Sequence, residues 1–505
     1  MHYPAISPPA IDWKAVTDIS WNYHKLMIYG DENMSRIAII GAGSLVFTKQ
    51  FLNDMFCVPA LAGSTYVLMG PTMWKLEKMR DYATGIINKN GIDAEIVCTT
   101  DRREALKDAD FVILTFLIGG NEAYTYDIEI PEKYGVSQCI GDSLGPGGIF
   151  RVLRTAPVMI DIWKDMEELC PEAYVLNYVN PMGAICSVLT KATKMRFVGL
   201  CHGVQTTLDL ISGYTGVPKD EIEYENAGIN HMDWFLKLEH NGKDLYPILR
   251  ANMEKPEYYK NEKVRGEVMR QCGYFMTEST GHLSEYLPWF RSSKRALDRY
   301  CDEPMFGGEH AAYLKFARKV QEKFRDTDVL SIESGELEPR SKEYCSYIIE
   351  AILTGKPFRF SGNVSNENGY IENLPRDATV EVPVYADKDG FHPCHMGSLP
   401  SHLAAMNQSN LTVQKLAAES AINGDPELAV WAVAMDPLTS AVLTLKEARD
   451  MSIELFEHEM KWLPQFSGKK PGSVPDIDIP EGTVGVPVPE DPALAINKRF
   501  AKLGE

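Results

Sequence analysis

Positive charge is scarce in this 505-residue sequence: 51 Lys and Arg stand against 70 Asp and Glu, a formal balance of −19. A groove that tracks phosphates needs clustered cations, so nucleic acid is not expected as a partner. No run of about 18 apolar residues occurs, so no membrane span is readable and no membrane partner is expected. The opening MHYPAISPPAIDWKAV lacks a basic stretch followed by an apolar one, and a cytoplasmic location is expected. Ten cysteines form no CxxC pair and no small-framework spacing, which points to reduced thiols rather than a disulfide scaffold. Internal repeats and low-complexity tracts are also missing. What remains is an ordinary globular balance, 45% hydrophobic and 24% charged. The length exceeds the roughly 250–300 residues at which one core usually splits, so two closely packed domains are expected.

The first clear signal begins at Arg36. RIAIIGAGS is an apolar, β-branched run ending in glycines, followed by FTKQFLNDMF with helical spacing of apolar residues. TYVLMG (65–70), DFVILTFLIGG (110–120), AYVLNYVNP (173–181) and MRFVGLCHG (195–203) read as further buried strands. Helical segments such as KLEKMRDYATGIINK and TAPVMIDIWKDMEELCP separate them. Alternating strand and helix predicts an α/β fold, a Rossmann-like doubly wound parallel sheet over residues 35–205. Residues 206–465 read as a second, mainly helical α+β domain, with strands at WFLKLEH, FRFSGNV and TVEVPVYA. Residues 1–34 form an N-terminal extension, and 466–505 a Pro- and Gly-rich tail expected to wrap the surface.

Gly41-Ala42-Gly43-Ser44, between strand and helix, is a shortened dinucleotide fingerprint whose glycines would let backbone approach a pyrophosphate at a helix N-terminus. A plain strand-to-helix turn is the alternative. The acid that bonds the adenosine ribose at the end of the second strand is missing: the position reads Leu68-Met69-Gly70-Pro71-Thr72. Lys75 and Arg80 alone leave the choice between NAD and NADP open. The glycine-dense loop carrying Asp142 would bring backbone close to a ligand, or serve as a tight connection. Asn180 ends a strand where ligands bind in such sheets and can hydrogen-bond a sugar hydroxyl or the nicotinamide ribose, although Asn-Pro is also a common turn. Cys201 and His231 pair a thiolate with an imidazole, a donor set for an open divalent-metal site. Alone they could equally be a buried hydrophobe and a hydrogen-bonded core histidine.

LNYVNPMG, VGLCHGVQ, AGINHMDW, GYFMTES and GSLPSHLAA, in this order, resemble glycoside hydrolase family 4, most of all its α-galactosidase branch, from about residue 35 to 465. The resemblance implies a glycosidase that uses NAD and a divalent metal, commonly Mn(II), in place of two carboxylates. Oxidation at sugar carbon-3 acidifies the carbon-2 proton, the aglycone leaves by elimination, water adds, and the ketone is reduced again. Cys201 and His231 would hold the metal, while Asn180 would touch the sugar hydroxyls and Asn230 would join it. His202 stands where the phospho-sugar branch carries an acidic residue proposed as general acid. That implies a substrate without phosphate and leaves the leaving-group acid unassigned. Tyr286 is favoured as the carbon-2 base, with Glu278 and His282 as alternatives. The implied substrate is a small-molecule O-glycoside, best matched by an α-galactoside; α-glucosides, uronides and sulfonated sugars stay open, and a homodimer or homotetramer is implied. A 2-hydroxy-acid dehydrogenase would share the dinucleotide half but needs a substrate arginine and a His–Asp pair, neither evident at the strand ends. An inactive NAD-binding relative is the remaining alternative.

Overall fold

The protein is described from a computed structural model, over residues 34–44, 47–326 and 335–487, with 489, 492, 493 and 500 beyond. The expected extension at 1–34 therefore lies outside the described residues except for its last position. Six parallel strands form the first part of the sheet: β1 (Arg36–Ile40), β2 (Thr65–Met69), β3 (Glu95–Thr99), β4 (Phe111–Leu114), β5 (Tyr174–Asn177) and β6 (Arg196–Gly199). Their order is 3-2-1-4-5-6, the doubly wound arrangement in which ligands bind beyond the carboxyl ends of the strands. Ile37, Ala38, Ile39, Val112, Ile113, Val175 and Leu176 are fully buried, as central parallel strands covered on both faces require.

The sheet does not stop at β6. Six more strands follow: β7 (Glu223–Ile229), β8 (Met232–His240), β9 (Lys243–Asp244), β10 (Phe358–Ser365), β11 (Thr379–Asp387) and β12 (Gly390–Pro393). They continue the sheet in the order β10-β11-β7-β8-β9, with β12 against β11, and their pairings are antiparallel. Asn363 of β10 pairs with Gly199 of β6, so the antiparallel part is built directly onto the parallel part. Helices dominate the remainder, among them Gly145–Leu169 and Ser401–Asn423, the second over the site described below.

Three expected strands are shorter than their apolar runs. The 110–120 run stops at Leu114, and Gly119 and Gly120 turn the chain with φ of +78° and +55° into the helix Gly120–Lys133. The 173–181 run stops at Asn177, and the 195–203 run at Gly199, which leaves Asn180 and Cys201 on the turns just beyond. Conversely, the helix read at 155–171 begins at Gly145, with Pro146 in its first turn, where a missing N–H costs nothing. Residues from Gly472 onward form a separate unit without strand among the described residues. Among the described residues no helix is long and apolar enough to cross a membrane.

Candidate active site

The site is assembled on the turns that leave the sheet. β5 delivers Asn180, and Leu200 N–H still bonds Asn177 O at 2.9 Å before the chain turns at Cys201 and His202 into the helix Gly203–Thr215. β7 and β8 form a hairpin in which Ile229 pairs with Met232, so Asn230 and His231 are its two-residue turn. His231 takes the left-handed conformation, φ +64°. The segment before the helix Thr280–Tyr286 lies along the start of β8: Phe235 N–H bonds Phe275 O at 3.0 Å and Thr277 N–H bonds Asp233 O at 2.9 Å. Asp233 N–H also donates to Thr277 Oγ1 at 3.2 Å. This lacing carries Glu278, at φ +75°, alongside His231. Two non-glycine residues held left-handed cost on the order of 1–3 kcal/mol each, and persist only where the surroundings dictate them.

Cys201 Sγ, an imidazole nitrogen of His231 and a carboxylate oxygen of Glu278 lie within 4.8 Å of one another. The thiol is 3.5 Å from Glu278 Oε1, and His231 Nε2 is 3.7 Å from the same oxygen. An ion bonded at roughly 2.0–2.3 Å to each donor fits such spacing after small side-chain movements. Thiolate, imidazole and carboxylate together suit Mn(II), Fe(II), Co(II) or Zn(II), and three protein donors leave positions for substrate oxygens. Gly203 makes room for the carboxylate, since a Cβ there would fall 2.4 Å from Glu278 Oε1. Although burial works against it, His231 and His282 hold the Glu278 carboxyl down to about 2, so it is ionised and ready to bind a cation. Burial, reinforced by Glu278, pushes the Cys201 thiol well above its usual range, and burial also lowers His231. A bound cation reverses the thiol shift and is the natural partner of this donor set.

Around the triad lie the other residues expected from the sequence. Tyr286 is buried, with its hydroxyl 3.3 Å from His231 Nδ1. Burial and the nearby Asp142 charge drive the phenol far above 10, with Ser143 opposing. His282 stands edge-on to His231, ring centroids 4.6 Å apart, and its Nδ1 is 3.5 Å from Glu278 Oε2. Asn180 Nδ2 donates to Asp142 Oδ2 at 3.4 Å, and the Ser143 hydroxyl donates to Asp142 Oδ1 at 2.6 Å. Asn230 is buried, and its amide lies toward the Cys201 thiol and the Glu381 carboxyl, favouring the charged form of each. His202 faces another way. It pairs with Glu343 and approaches Phe47, on the helix after the glycine turn, at 5.8 Å between ring centroids.

At the cofactor end, Gly41 N–H and Ala42 N–H both bond Met69 O at 2.9 Å. Gly41 has φ +99°, and a Cβ there would sit 2.1 Å from Thr115 O, so only glycine permits this turn. Ser44 Oγ accepts the Phe47 N–H at 3.3 Å at the start of the helix Phe47–Phe56. The bare Gly41-Ala42-Gly43 backbone at a helix start fits the diphosphate of a dinucleotide.

Sequence reasoning missed three contributors. Arg151 is buried beside Asp142, its Nη1 3.5 Å from Asp142 Oδ2, and its Nε and Nη1 have no hydrogen-bond partner. Glu285 accepts the N–H groups of Cys139, Ile140 and Gly141 at 2.5, 2.6 and 2.9 Å and so shapes the loop that presents Asp142. Glu381 of β11, opposite Gly228, is pushed up to about 8 by burial, with Glu278 adding to the shift. Nothing local in the sequence marks them, because each acts through a contact distant along the chain. Glu278 itself was legible, but as a base rather than as a neighbour of both expected metal ligands.

Comparison with known proteins agrees with this architecture. Residues 36–216 match the model of the family 4 glycosyl hydrolases, and residues 226–439 match that of the family 4 glycosyl hydrolase C-terminal domain. An α-galactosidase of Bacillus subtilis (strain 168) is 40% identical over 445 residues, covering 86% of this chain and 100% of its own. An α-galactosidase of Rhizobium meliloti (strain 1021) is 38% identical over 440 residues, covering 86% and 90%. The crystal structure of a 6-phospho-α-glucosidase from gut microorganisms, in complex with NAD and Mn2+, superposes with a TM-score of 0.72 at 20% identity. It covers 86% of this chain and 99% of that one, a likeness of fold. With the two family models spanning both the parallel sheet and its antiparallel continuation, and such relatives matched along nearly their full length, the chain belongs to glycoside hydrolase family 4.

Proposed function

We propose that this protein hydrolyses α-galactosides with the help of NAD and a divalent metal ion, Mn(II) for preference. The observation that carries the reading is the Cys201, His231 and Glu278 cluster at the carboxyl ends of a 3-2-1-4-5-6 sheet with a glycine turn on its first strand. Bound together, the dinucleotide and the ion supply reversible oxidation at sugar carbon-3 and polarisation of the neighbouring oxygens, which makes the carbon-2 proton acidic. Cys201, His231 and Glu278 would hold the ion, and Asn180, Asp142 and Asn230 would orient the hydroxyls beside it. Tyr286 takes the carbon-2 proton on its phenol oxygen; a cation next to His231 offsets the burial that otherwise keeps it protonated.

A two-carboxylate mechanism fits poorly. It needs a protonated carboxylic acid within reach of the glycosidic oxygen, whereas Glu278 is held near 2, Asp142 lies below its usual value through Arg151, His282 and His231 against burial, and Glu381, a carboxyl that burial keeps protonated, is shut in at 1% exposure. A uronide is the second reading, favoured by the unpaired Nε and Nη1 of Arg151, which could receive a carboxylate. A cytoplasmic location, supported by ten cysteines that are all free, completes the proposal, together with the homodimer or homotetramer that the family resemblance implies.

The test is cleavage of nitrophenyl α-galactoside and nitrophenyl α-galacturonide with NAD, Mn(II) and a thiol reductant. Release from the galactoside is expected to exceed that from the uronide, and the reverse would install the uronide reading. In deuterated water the released sugar should carry deuterium at carbon-2. Cleavage without that label would rule out the elimination route.

A further inference from the structure

Gly70 is the structurally telling residue at the adenosine end of the cofactor site. Ile40 of β1 pairs with Met69 of β2, and Met69 O receives two N–H groups of the glycine turn, so residue 70 stands beside that turn. In a doubly wound dinucleotide fold this position carries the carboxylate that bonds the adenosine ribose 2′-hydroxyl and repels a 2′-phosphate. Here it carries a hydrogen atom. The backbone does not demand glycine: Gly70 is outside the left-handed region, and a Cβ would meet only the Leu76 Cδ2 tip at 3.3 Å and Gly43 N at 3.9 Å. The carboxylate is therefore absent although the backbone here tolerates a side chain.

A cation lies next to the vacated position. Lys75 lies in the first turn of the 18-residue helix Met73–Asn90, with its N–H bonded to Thr72 O at 3.1 Å. Its stem runs against the glycine turn, since a Cβ on Gly43 would lie 3.4 Å from Lys75 Cδ and 3.5 Å from its Cβ. No carboxylate pairs with Lys75 among the described residues. The acids at the end of β3 are engaged: Asp101 accepts the Arg103 N–H, and Glu104 accepts the Thr99 hydroxyl. At position 70 itself, among the described residues, the carboxylate is missing and a lysine stands beside the glycine turn.

We propose that the chain accepts a 2′-phosphorylated dinucleotide and binds NADP+ at least as tightly as NAD+, with Lys75 facing the 2′-phosphate in the space left by Gly70. This rests on the reading of the glycine turn as a dinucleotide site. The hydride chemistry is the same for either dinucleotide, so the reaction itself is unaltered.

The test is direct binding to the protein freed of nucleotide, with NAD+ and NADP+ titrated separately and followed by calorimetry and by tryptophan fluorescence. The ratio of the NADP+ to the NAD+ dissociation constant is expected at or below one. Gly70→Asp should raise that ratio by about tenfold or more, by restoring the ribose ligand and repelling the phosphate. Lys75→Gln should raise it by weakening NADP+ alone, and should flatten the salt dependence of NADP+ binding. A wild-type ratio above one by more than the error of the titrations, or a ratio insensitive to both substitutions, overturns the proposal while leaving the cofactor reading intact. Binding of neither dinucleotide overturns both.

Discussion

At the scale of single residues the site is defined by conformations that the chain adopts reluctantly. His231 and Glu278 both sit left-handed, and both point a donor toward Cys201. Cys201→Ser and His231→Ala are expected to abolish metal-dependent turnover while the apo protein stays folded. Glu278→Gln should weaken Mn(II) binding by about tenfold or more, since it removes one of two anionic donors among the three. Calorimetric metal titration with circular dichroism checks all three, and unchanged Mn(II) affinity in any one removes that residue from the ligand set. Tyr286→Phe separates binding from chemistry: turnover should fall by about 10²- to 10⁴-fold with Mn(II) affinity retained. Full activity in that variant would shift the role to His282. The sequence displayed Cys201 and His231 because each lies in a motif with a local signature, and offered Tyr286 beside Glu278 and His282 from the stretch that begins with GYFMTES. It could not display Arg151, whose buried guanidinium is meaningful only once Asp142 is beside it.

At the scale of elements, one helix steadies much of this arrangement. Along Ser401–Asn423, Asn407 and Asn410 are three apart and share a face. Asn407 accepts the Trp234 indole N–H at 2.9 Å and donates to Met232 O at 2.8 Å, which fixes the strand that leaves His231. Asn410 donates to Tyr286 O at 3.1 Å. Asn407→Ala strips two buried hydrogen bonds and should cost about 2–4 kcal/mol. It should also raise the Mn(II) concentration needed for half-maximal activity, measured beside a chemical denaturation curve. A variant that loses stability without any change in Mn(II) requirement would confine the helix to a structural role. GSLPSHLAA, just ahead of these asparagines, was legible as part of the family pattern, yet the reason lies in contacts more than a hundred residues away in sequence. The parallel strands were legible by their apolar, β-branched runs. Their ends were not, because hydrophobicity continues through the turns at Thr115–Ile118 and Tyr178–Val179 after the ladder has stopped.

At the scale of the whole molecule, acid groups buried far from one another give stability a common pH dependence. Burial raises Glu381 to about 8, and it raises Asp436 to about 6 even though that carboxylate accepts the Gly145 and Thr439 N–H groups and the Thr439 hydroxyl. A folded state that keeps protons the unfolded chain would release is favoured below the unfolded values near 4 and loses that advantage as pH rises through the folded ones. The net charge of −19 adds self-repulsion in the same direction. The Tm of the metal-free protein should therefore fall between pH 5.5 and 8, by a loss on the order of a few kcal/mol, and Glu381→Gln should flatten the upper part of the slope. A Tm that is level or rising over that range would contradict the buried-acid account. The hairpin turn at Asn230 and His231 carries one more consequence. Because a donor for the ion is the tip of a two-residue connection, no slack exists there for evolution or for the engineer: an insertion between β7 and β8, of the kind surface loops absorb freely, would swing the imidazole out of reach. Length variation in relatives that keep this chemistry should accordingly accumulate elsewhere.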